Sequence, residues 1–198
     1  MKAIIENGLA NSFSYKEYRE HITNLFHAGK VTGNEQSEDL LHYTELNEAR
    51  MNRLDKTIKI TDNVKSFLEN LDHEYIWLAL SESWCGDAAQ ILPIVNKMAL
   101  LSGKIEFKIV LRDTNEFLMN EFLTNGSKSI PVLILIEKET LNVINHFGPR
   151  PKPAVELVKN YKEKFGILDE TIKTHLQKWY LSDKGISTQN EIIDLLKQ

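Results

Sequence analysis

Hydrophobic positions recur along this chain at two spacings, and the changes between them divide the chain into three parts. Residues 1–55 carry apolar side chains at helical spacing in two stretches, which follow the potential capping residues Ser14 and Ser37. Residues 56–165 alternate between short apolar runs, typical of buried strands, and helical patterns. Residues 166–198 return to helical spacing. The pattern predicts an α/β unit between two helical extensions.

Five short runs are typical of strands, at 57–60, 75–80, 105–111, 131–136 and 143–147. Helical patterns separate the first four runs, and crossover connections of that kind are typical of parallel strand pairs. Only a polar turn separates the fourth run from the fifth, which predicts an antiparallel hairpin. The predicted order is therefore β-α-β-α-β-α-β-β-α, with a central mixed sheet flanked by helices.

Both helical extensions carry apolar stripes that need a partner surface. The stripes include Tyr18, Leu25, Leu41 and Leu46 in front and Ile172, Leu176, Trp179, Ile192 and Leu195 behind. We expect them to pack on the central unit or on another copy of the chain, so the helical extensions provide a route to a homo-oligomer. Thr188 and Glu191 have the spacing of a capping box, which predicts that the last helix starts at Thr188.

Composition and charge exclude several classes of function. The formal net charge of −4 offers no basic surface for general nucleic-acid or membrane binding, so neither partner is expected. Arg150 is expected to be solvated. No segment has the apolar length of a membrane span or of a secretory signal. The single cysteine excludes an internal disulfide and is typical of a reducing compartment, which predicts a cytoplasmic location. Six scattered histidines predict no zinc site, and no motif predicts another cofactor.

The only cysteine, Cys85, lies where a strand pattern changes to a helical one. The run 75–80 leads into the motif Ser-Trp-Cys-Gly-Asp-Ala at 83–88, and a helical pattern begins directly after it. Backbone N–H groups at a helix start favour a thiolate. The negative charge of Asp87 would oppose one. The direction of the shift in the Cys85 pKa therefore stays open at the level of sequence.

Several motifs in the chain resemble those of the thioredoxin superfamily. Trp84-Cys85-Gly86 matches the start of the thioredoxin active-site motif, and Ile130-Pro131 matches the isoleucine and cis-proline that face its cysteine. Asp113-Thr114-Asn115 resembles a turn of that family, and Gly148 resembles a family glycine. The string 83–90 is similar to a bacterial thioredoxin-like family with helical extensions. The resemblance implies a thioredoxin fold, here divided into a helical extension over 1–55, a thioredoxin-like domain over 56–165 and a second extension over 166–198.

Two departures separate the chain from thioredoxins that use two cysteines. Ala88 stands where they have the second, resolving cysteine, and Ala79 stands where they keep a buried acid that helps to move its proton. The resemblance therefore implies a monothiol chemistry. Cys85 would be the nucleophile, and any resolving thiol would come from outside the chain.

The resemblance also implies which residues surround a bound partner. Trp84, Gly86 and Asp87 would flank the cysteine, which we expect to be partly exposed, while Ile130 and Pro131 would lie against an extended segment of the partner. Each has an alternative: Trp84 is either a lid or a packed aromatic, Asp87 either a helix-start charge or a proton-handling group, and Pro131 either a cis residue or an ordinary strand-edge proline.

Three functions are open at this stage, and whether the chain is an enzyme is open with them. A thiol–disulfide oxidoreductase would attack a protein disulfide or exchange with a low-molecular-weight thiol through Cys85. A redox-inactive binding module would recognise an extended polypeptide in the same groove. A cluster-binding protein of the monothiol glutaredoxin type fits least, because Ile130 departs from their Thr-Val-Pro pattern and Trp84 is present.

Overall fold

Four strands form the sheet of the computed structural model, which describes residues 1–197. They are β1 (Tyr75–Ser81), β2 (Ile105–Leu111), β3 (Val132–Glu137) and β4 (Val143–Phe147). The strand order is β2-β1-β3-β4, with β1 parallel to β2 and antiparallel to β3, and β3 antiparallel to β4. The predicted mixed sheet and its late hairpin are confirmed. Parallel pairing is confined to β1 and β2.

Nine helices surround this sheet in the part of the chain that the structure describes. They are α1 (Lys2–Ala10), α2 (Tyr15–His27), α3 (Glu38–Thr57), α4 (Asp62–Glu69), α5 (Gly86–Ala99), α6 (Glu116–Asn120), α7 (Lys152–Phe165), α8 (Glu170–Asp183) and α9 (Ile186–Leu196). Ser14 and Ser37 cap α2 and α3 with their side chains as predicted, whereas α1 was not predicted. Among residues 1–197, no helix combines the length and the hydrophobicity that crossing a membrane requires.

The buried core extends from the sheet into both helical ends of the chain. Every residue of β1 is buried. Ile5 and Ile22 from the first helices join the same buried cluster as Tyr180 and Ile192 from the last two. Each large apolar side chain buried in this way contributes about 1.5–3 kcal/mol. The helical ends therefore pack on the sheet unit, while the division at residues 55 and 165 stays a prediction.

The strand predicted at 57–60 is absent, because α3 runs on through Thr57 and the residues after it form an irregular connection. Ile58 is buried, so the alternation of apolar residues reflects packing. The backbone here bonds to side chains: the Gln189 amide accepts from the Thr61 N–H at 3.0 Å and donates to the Lys59 carbonyl at 3.0 Å. A buried polar side chain thus replaces the missing strand neighbour.

The last helix starts two residues earlier than its predicted capping box. Its N-cap is Gly185, at φ +77°, and Thr188 is buried within the first turn. A Cβ atom on residue 185 would lie 2.6 Å from Cδ1 of Ile94. Close packing and a left-handed backbone therefore require glycine here, and they fix the helix start ahead of Thr188.

Candidate functional site

Cys85 is the N-cap residue of α5, at the turn that follows β1. Its sulfur accepts a hydrogen bond from the backbone N–H of Ala88 at 3.4 Å. Its thiol in turn donates to the carbonyl oxygen of Ile130 at 3.3 Å. The residue is only 8% exposed. The expected partial exposure is therefore wrong, because the thiol turns inward onto the backbone that precedes β3.

The Ile130-Pro131 peptide is cis, and it lies beside Cys85 through the bond to the Ile130 carbonyl. Both residues are buried. Gly148, after β4, packs against this peptide at φ +133°, and a Cβ atom there would lie 2.2 Å from the Pro131 carbonyl oxygen. Only glycine permits such an approach, which accounts for the family-like Gly148 in physical terms.

Asp87, in the first turn of α5, is buried and holds three parts of the fold together. The hydroxyl of Tyr180, on α8, donates to its Oδ1 at 2.8 Å. The Arg150 guanidinium, from the turn before α7, lies 2.7 Å from its Oδ2. The expectation that Arg150 is solvated is therefore wrong, because its charge neutralises a buried carboxylate. Asp87 lies at the helix start, as one of its two interpretations predicted. Its main interaction, however, is the ion pair with Arg150.

Burial raises the pKa of the Cys85 thiol to about 12, and the nearby Asp87 carboxylate adds to the rise. The N–H groups of Ala88 and Asp87 and the charge of Arg150 favour the thiolate but do not compensate. The direction that the sequence left open is thus upward, because loss of solvent outweighs the helix start. At neutral pH Cys85 is a thiol.

Trp84 is a half-buried aromatic held by the N-terminal extension. Its indole N–H donates to the Thr32 carbonyl at 3.1 Å, and the Arg112 guanidinium carbon lies 4.8 Å from the centre of its ring. Next to it, the Ser83 carbonyl accepts from the Asn47 amide of α3 at 2.8 Å. These contacts attach the turn before Cys85 to the N-terminal region. They favour the interpretation of Trp84 as a packed aromatic.

A cavity of about 710 Å³ opens beside this turn, between α3 and α8. Trp84, Gly86 and Asp87 contribute to its lining. The other lining side chains include Leu40, Leu46, Leu176 and Leu181, the cations Arg50, Arg150, Lys173 and Lys178, and the anion Glu170. The cavity therefore combines apolar walls with an excess of positive charge, although the chain as a whole is negative.

The residues predicted for the site lie together in two groups, whereas the described residues form no metal site. Cys85, Ile130 and Pro131 meet at the buried thiol, and Trp84, Gly86 and Asp87 face the cavity. Across residues 1–197, no three His, Cys, Asp or Glu side chains are grouped to hold a metal ion.

The profile of a family described as thioredoxin matches residues 33–162, which is more than half of the chain. This chain belongs to the thioredoxin family. The sheet order, the cysteine at the start of α5 and the cis-proline before β3 agree with that membership. Within the thioredoxin family it departs at Ala88 and Ala79, both of which are buried and neither of which can move a proton.

Solved structures extend the likeness of this thioredoxin-family chain beyond the matched residues. A protein of unknown function from Pseudomonas aeruginosa is 16% identical, with a TM-score of 0.61, over 93% of this chain and 98% of that one. An HIV epitope-scaffold is also 16% identical, with a TM-score of 0.58 and the same coverage. No curated protein matches the chain. The likeness is one of fold, and it includes helices outside the thioredoxin match.

Sequence reasoning missed the residues that come to the site from distant parts of this thioredoxin-family chain. Tyr180 lies on the last but one helix, and Arg50 and Asn47 lie on α3 in the N-terminal region. Their contribution depends on how the extensions pack, and no local motif marks them. The pairing of Arg150 with Asp87 was missed as well, since Arg150 was expected to be solvated.

Proposed function

We propose that this thioredoxin-family chain is a binding protein whose site is the cavity beside Trp84, Gly86 and Asp87. The observation that carries the proposal is the state of Cys85, a buried thiol that donates its hydrogen to the Ile130 carbonyl. The same carbonyl faces the place where an extended partner would lie in a thioredoxin-type groove. That carbonyl already accepts a hydrogen bond from the thiol, and the cavity is lined by Trp84, Gly86 and Asp87 but not by Ile130 or Pro131.

The raised pKa makes Cys85 a slow nucleophile. A change from the ordinary value of 9.0 to about 12 lowers the thiolate population at neutral pH, by roughly 1000-fold. The greater nucleophilicity of a more basic thiolate recovers about 20-fold. Exchange through Cys85 is then on the order of 50-fold slower than through an ordinary thiol. Such a rate favours recognition over turnover.

The cavity has the properties of a ligand site. Its volume of about 710 Å³ lies within the range of small-molecule pockets, roughly 300–1,000 Å³. It is mainly apolar with a few polar groups, and it lies between elements that the two helical ends supply. The ends of the chain thereby acquire a role beyond packing.

The proposal is tested by reductase assays and by capture experiments with Cys85→Ser. We expect no insulin reduction above the dithiothreitol background, because Ala88 cannot resolve a mixed disulfide. We also expect bound partners to be retained equally by the natural chain and by Cys85→Ser, with and without dithiothreitol. Strong insulin turnover, or capture that requires Cys85 and is reversed by dithiothreitol, would overturn the proposal.

A second candidate is monothiol exchange with a protein disulfide or a low-molecular-weight thiol. It is favoured by the Ala88 N–H directed at the Cys85 sulfur and by the neighbouring cis-Pro131. The Cys85 thiolate would attack one sulfur of the disulfide, form a mixed disulfide and release the other sulfur as a thiolate; an external thiol would then reduce the mixed disulfide. Under either function, we place the protein in the reducing cytoplasm, because its only cysteine is kept as a thiol.

A further inference from the structure

Two hydrogen-bond donors converge above Gly86 at the base of the cavity. A Cβ atom built on Gly86 would lie 3.5 Å from Nη1 of Arg50 and 3.5 Å from Nε2 of Gln177. Because residue 86 has no side chain, a guanidinium nitrogen from α3 and an amide nitrogen from α8 are left uncovered next to it, with Oδ1 of Asn47 3.9 Å from the same point. This point opens into the cavity, which Gly86, Arg50 and Gln177 line.

Arg50 carries a charge that the protein neutralises only in part, because the nearby Asp87 carboxylate raises its pKa less than burial lowers it. Its Nη1 donates to the Oδ1 of Asn47 at 2.7 Å, and it forms no ion pair within residues 1–197. It is half-buried, and loss of solvent lowers its pKa, which marks a cation short of compensating charge. A half-buried guanidinium with only a neutral acceptor favours an anion from outside the chain.

Of the other three cations that line the cavity, Arg150 and Lys173 are paired with its two anions, whereas the exposed Lys178 is not. The Asp87 carboxylate is bound by Arg150 and Tyr180, and Glu170 lies 2.6 Å from the amine of Lys173. The two anions that line the cavity are thus neutralised within the protein. Because Arg50 and Lys178 are left over, the net field in the cavity attracts negative charge.

Gln177 is oriented so that its donor side is free. Its Oε1 accepts from the Gln90 amide of α5 at 2.7 Å, which fixes the side chain and directs Nε2 towards Gly86. In the described part of the chain, Nε2 donates to no acceptor. A planar guanidinium and a planar amide, both with free N–H groups, match the two oxygens of a carboxylate.

We propose that the cavity binds a small molecule with a carboxylate head and an apolar body, the head lying between Arg50 and Gln177 above Gly86. The apolar body lies along Leu40, Leu46 and Leu181. This inference rests on the proposed binding function and names its ligand class. The cavity, which is open to solvent, has the volume for one such molecule.

The test uses sodium decanoate as the probe and the full chain as the protein. Binding is followed by calorimetry and by the fluorescence of Trp84, which lines the cavity. Arg50→Met keeps much of the apolar stem and removes the charge, and we expect it to bind decanoate at least 10-fold more weakly. Arg53→Met, one turn further along α3 and lining a separate cavity, is the matched control and should bind within about two-fold of the natural chain.

Gly86→Ala tests the position of the head independently of charge. Its methyl group would meet both donors at ordinary contact distance, and the backbone of residue 86 is not left-handed, so the fold is expected to be retained. The methyl group narrows the space through which the carboxylate reaches the two donors, and we expect a loss similar to that of Arg50→Met. Thermal unfolding followed by circular dichroism establishes that each variant is folded.

The outcomes separate this inference from the proposed function. Decanoate binding that depends on Arg50 and Gly86 supports it. Equal binding of decanol, no binding of decanoate, or tighter binding of a peptide through its C-terminal carboxylate would overturn it. If decanoate fails while Cys85→Ser still retains partners irrespective of reductant, the binding function stands and only the ligand class is wrong. If partner retention requires Cys85, the binding function itself is wrong.

Discussion

Asp87 is the residue that most directly sets the chemistry of the neighbouring thiol. Its carboxylate raises the pKa of Cys85, second only to burial, while Arg150 and Tyr180 hold it in place. The same side chain therefore disfavours the thiolate and links α5 to α8. Removing its charge tests both effects, the first by the reactivity of Cys85 and the second by the stability of the protein.

Asp87→Asn should make Cys85 more reactive and the protein less stable. Without the carboxylate the thiolate is less disfavoured, so the Cys85 pKa falls, and the rise of the labelling rate with pH should move to lower pH, a change that faster opening alone does not produce. The unpaired Arg150 is partly exposed, which limits the stability loss to about 2 kcal/mol. In both proteins the rate should rise with pH, because the thiolate is the reacting form.

The matched control is Asp62→Asn, the same change at the exposed start of α4. It should leave the labelling rate of Cys85 unchanged. Equal labelling rates for Asp87→Asn and the natural chain across the pH range would show that Asp87 does not govern the thiol.

The sequence predicted which residues lie near Cys85, but it did not predict the burial or the pKa of the thiol. Trp84, Cys85 and Pro131 lie where the motif order placed them. The direction of the thiol pKa depended on burial in the finished fold, and the hydrogen bond from Tyr180 to Asp87 is an example of a contact that reaches the site from far along the chain. Local spacing carries no information about such contacts.

The connection between α3 and α4 shows how one side chain replaces an element. Gln189, on α9, satisfies both the Thr61 N–H and the Lys59 carbonyl, and it is fully buried. The alternating isoleucines there predicted a strand, because strands and irregular segments packed on a core both alternate. A strand differs from such a segment in having a neighbouring strand to which its backbone bonds. Residues 58–61 have no such strand beside them in the described structure.

Gln189→Met should destabilise the protein by about 1–3 kcal/mol, because two partly buried backbone groups lose their partner. The midpoint of chemical denaturation should fall accordingly. Asn190→Met, at the next and exposed position, should change stability by less than about 0.5 kcal/mol. A loss no larger for Gln189→Met than for its neighbour would mean that water satisfies the connection instead.

On the scale of the whole molecule, the two helical ends complete both the core and the site. Tyr18 and Ile22 from the first end, and Tyr180 and Ile192 from the second, belong to one buried cluster. The cavity lies between α3 and α8, one helix from each end. Sequence patterning predicted that these ends pack on the sheet, since apolar stripes need a surface. It did not show that they form a cavity, which depends on the angle at which the helices meet.

A fragment of residues 56–165 should not fold cooperatively. Deleting the ends removes many buried side chains, each worth about 1.5–3 kcal/mol, and their sum exceeds the roughly 5–15 kcal/mol by which a domain is stable. Thermal unfolding of the fragment should show no sharp transition, and limited proteolysis of the whole chain should release no stable piece with these bounds. Recovery of a folded 56–165 fragment would contradict this prediction.

Because the only cysteine is buried, its reaction with a thiol reagent reports how often the folded protein opens. In the folded protein the thiol is bonded and protonated, whereas in an unfolded chain it has an ordinary pKa and free access to solvent. Labelling near neutral pH then samples the rare open molecules, as amide hydrogen exchange does. Each newly synthesised chain likewise keeps a reactive sulfur until folding buries Cys85. Oxidative damage at Cys85 should therefore fall on chains that have not finished folding.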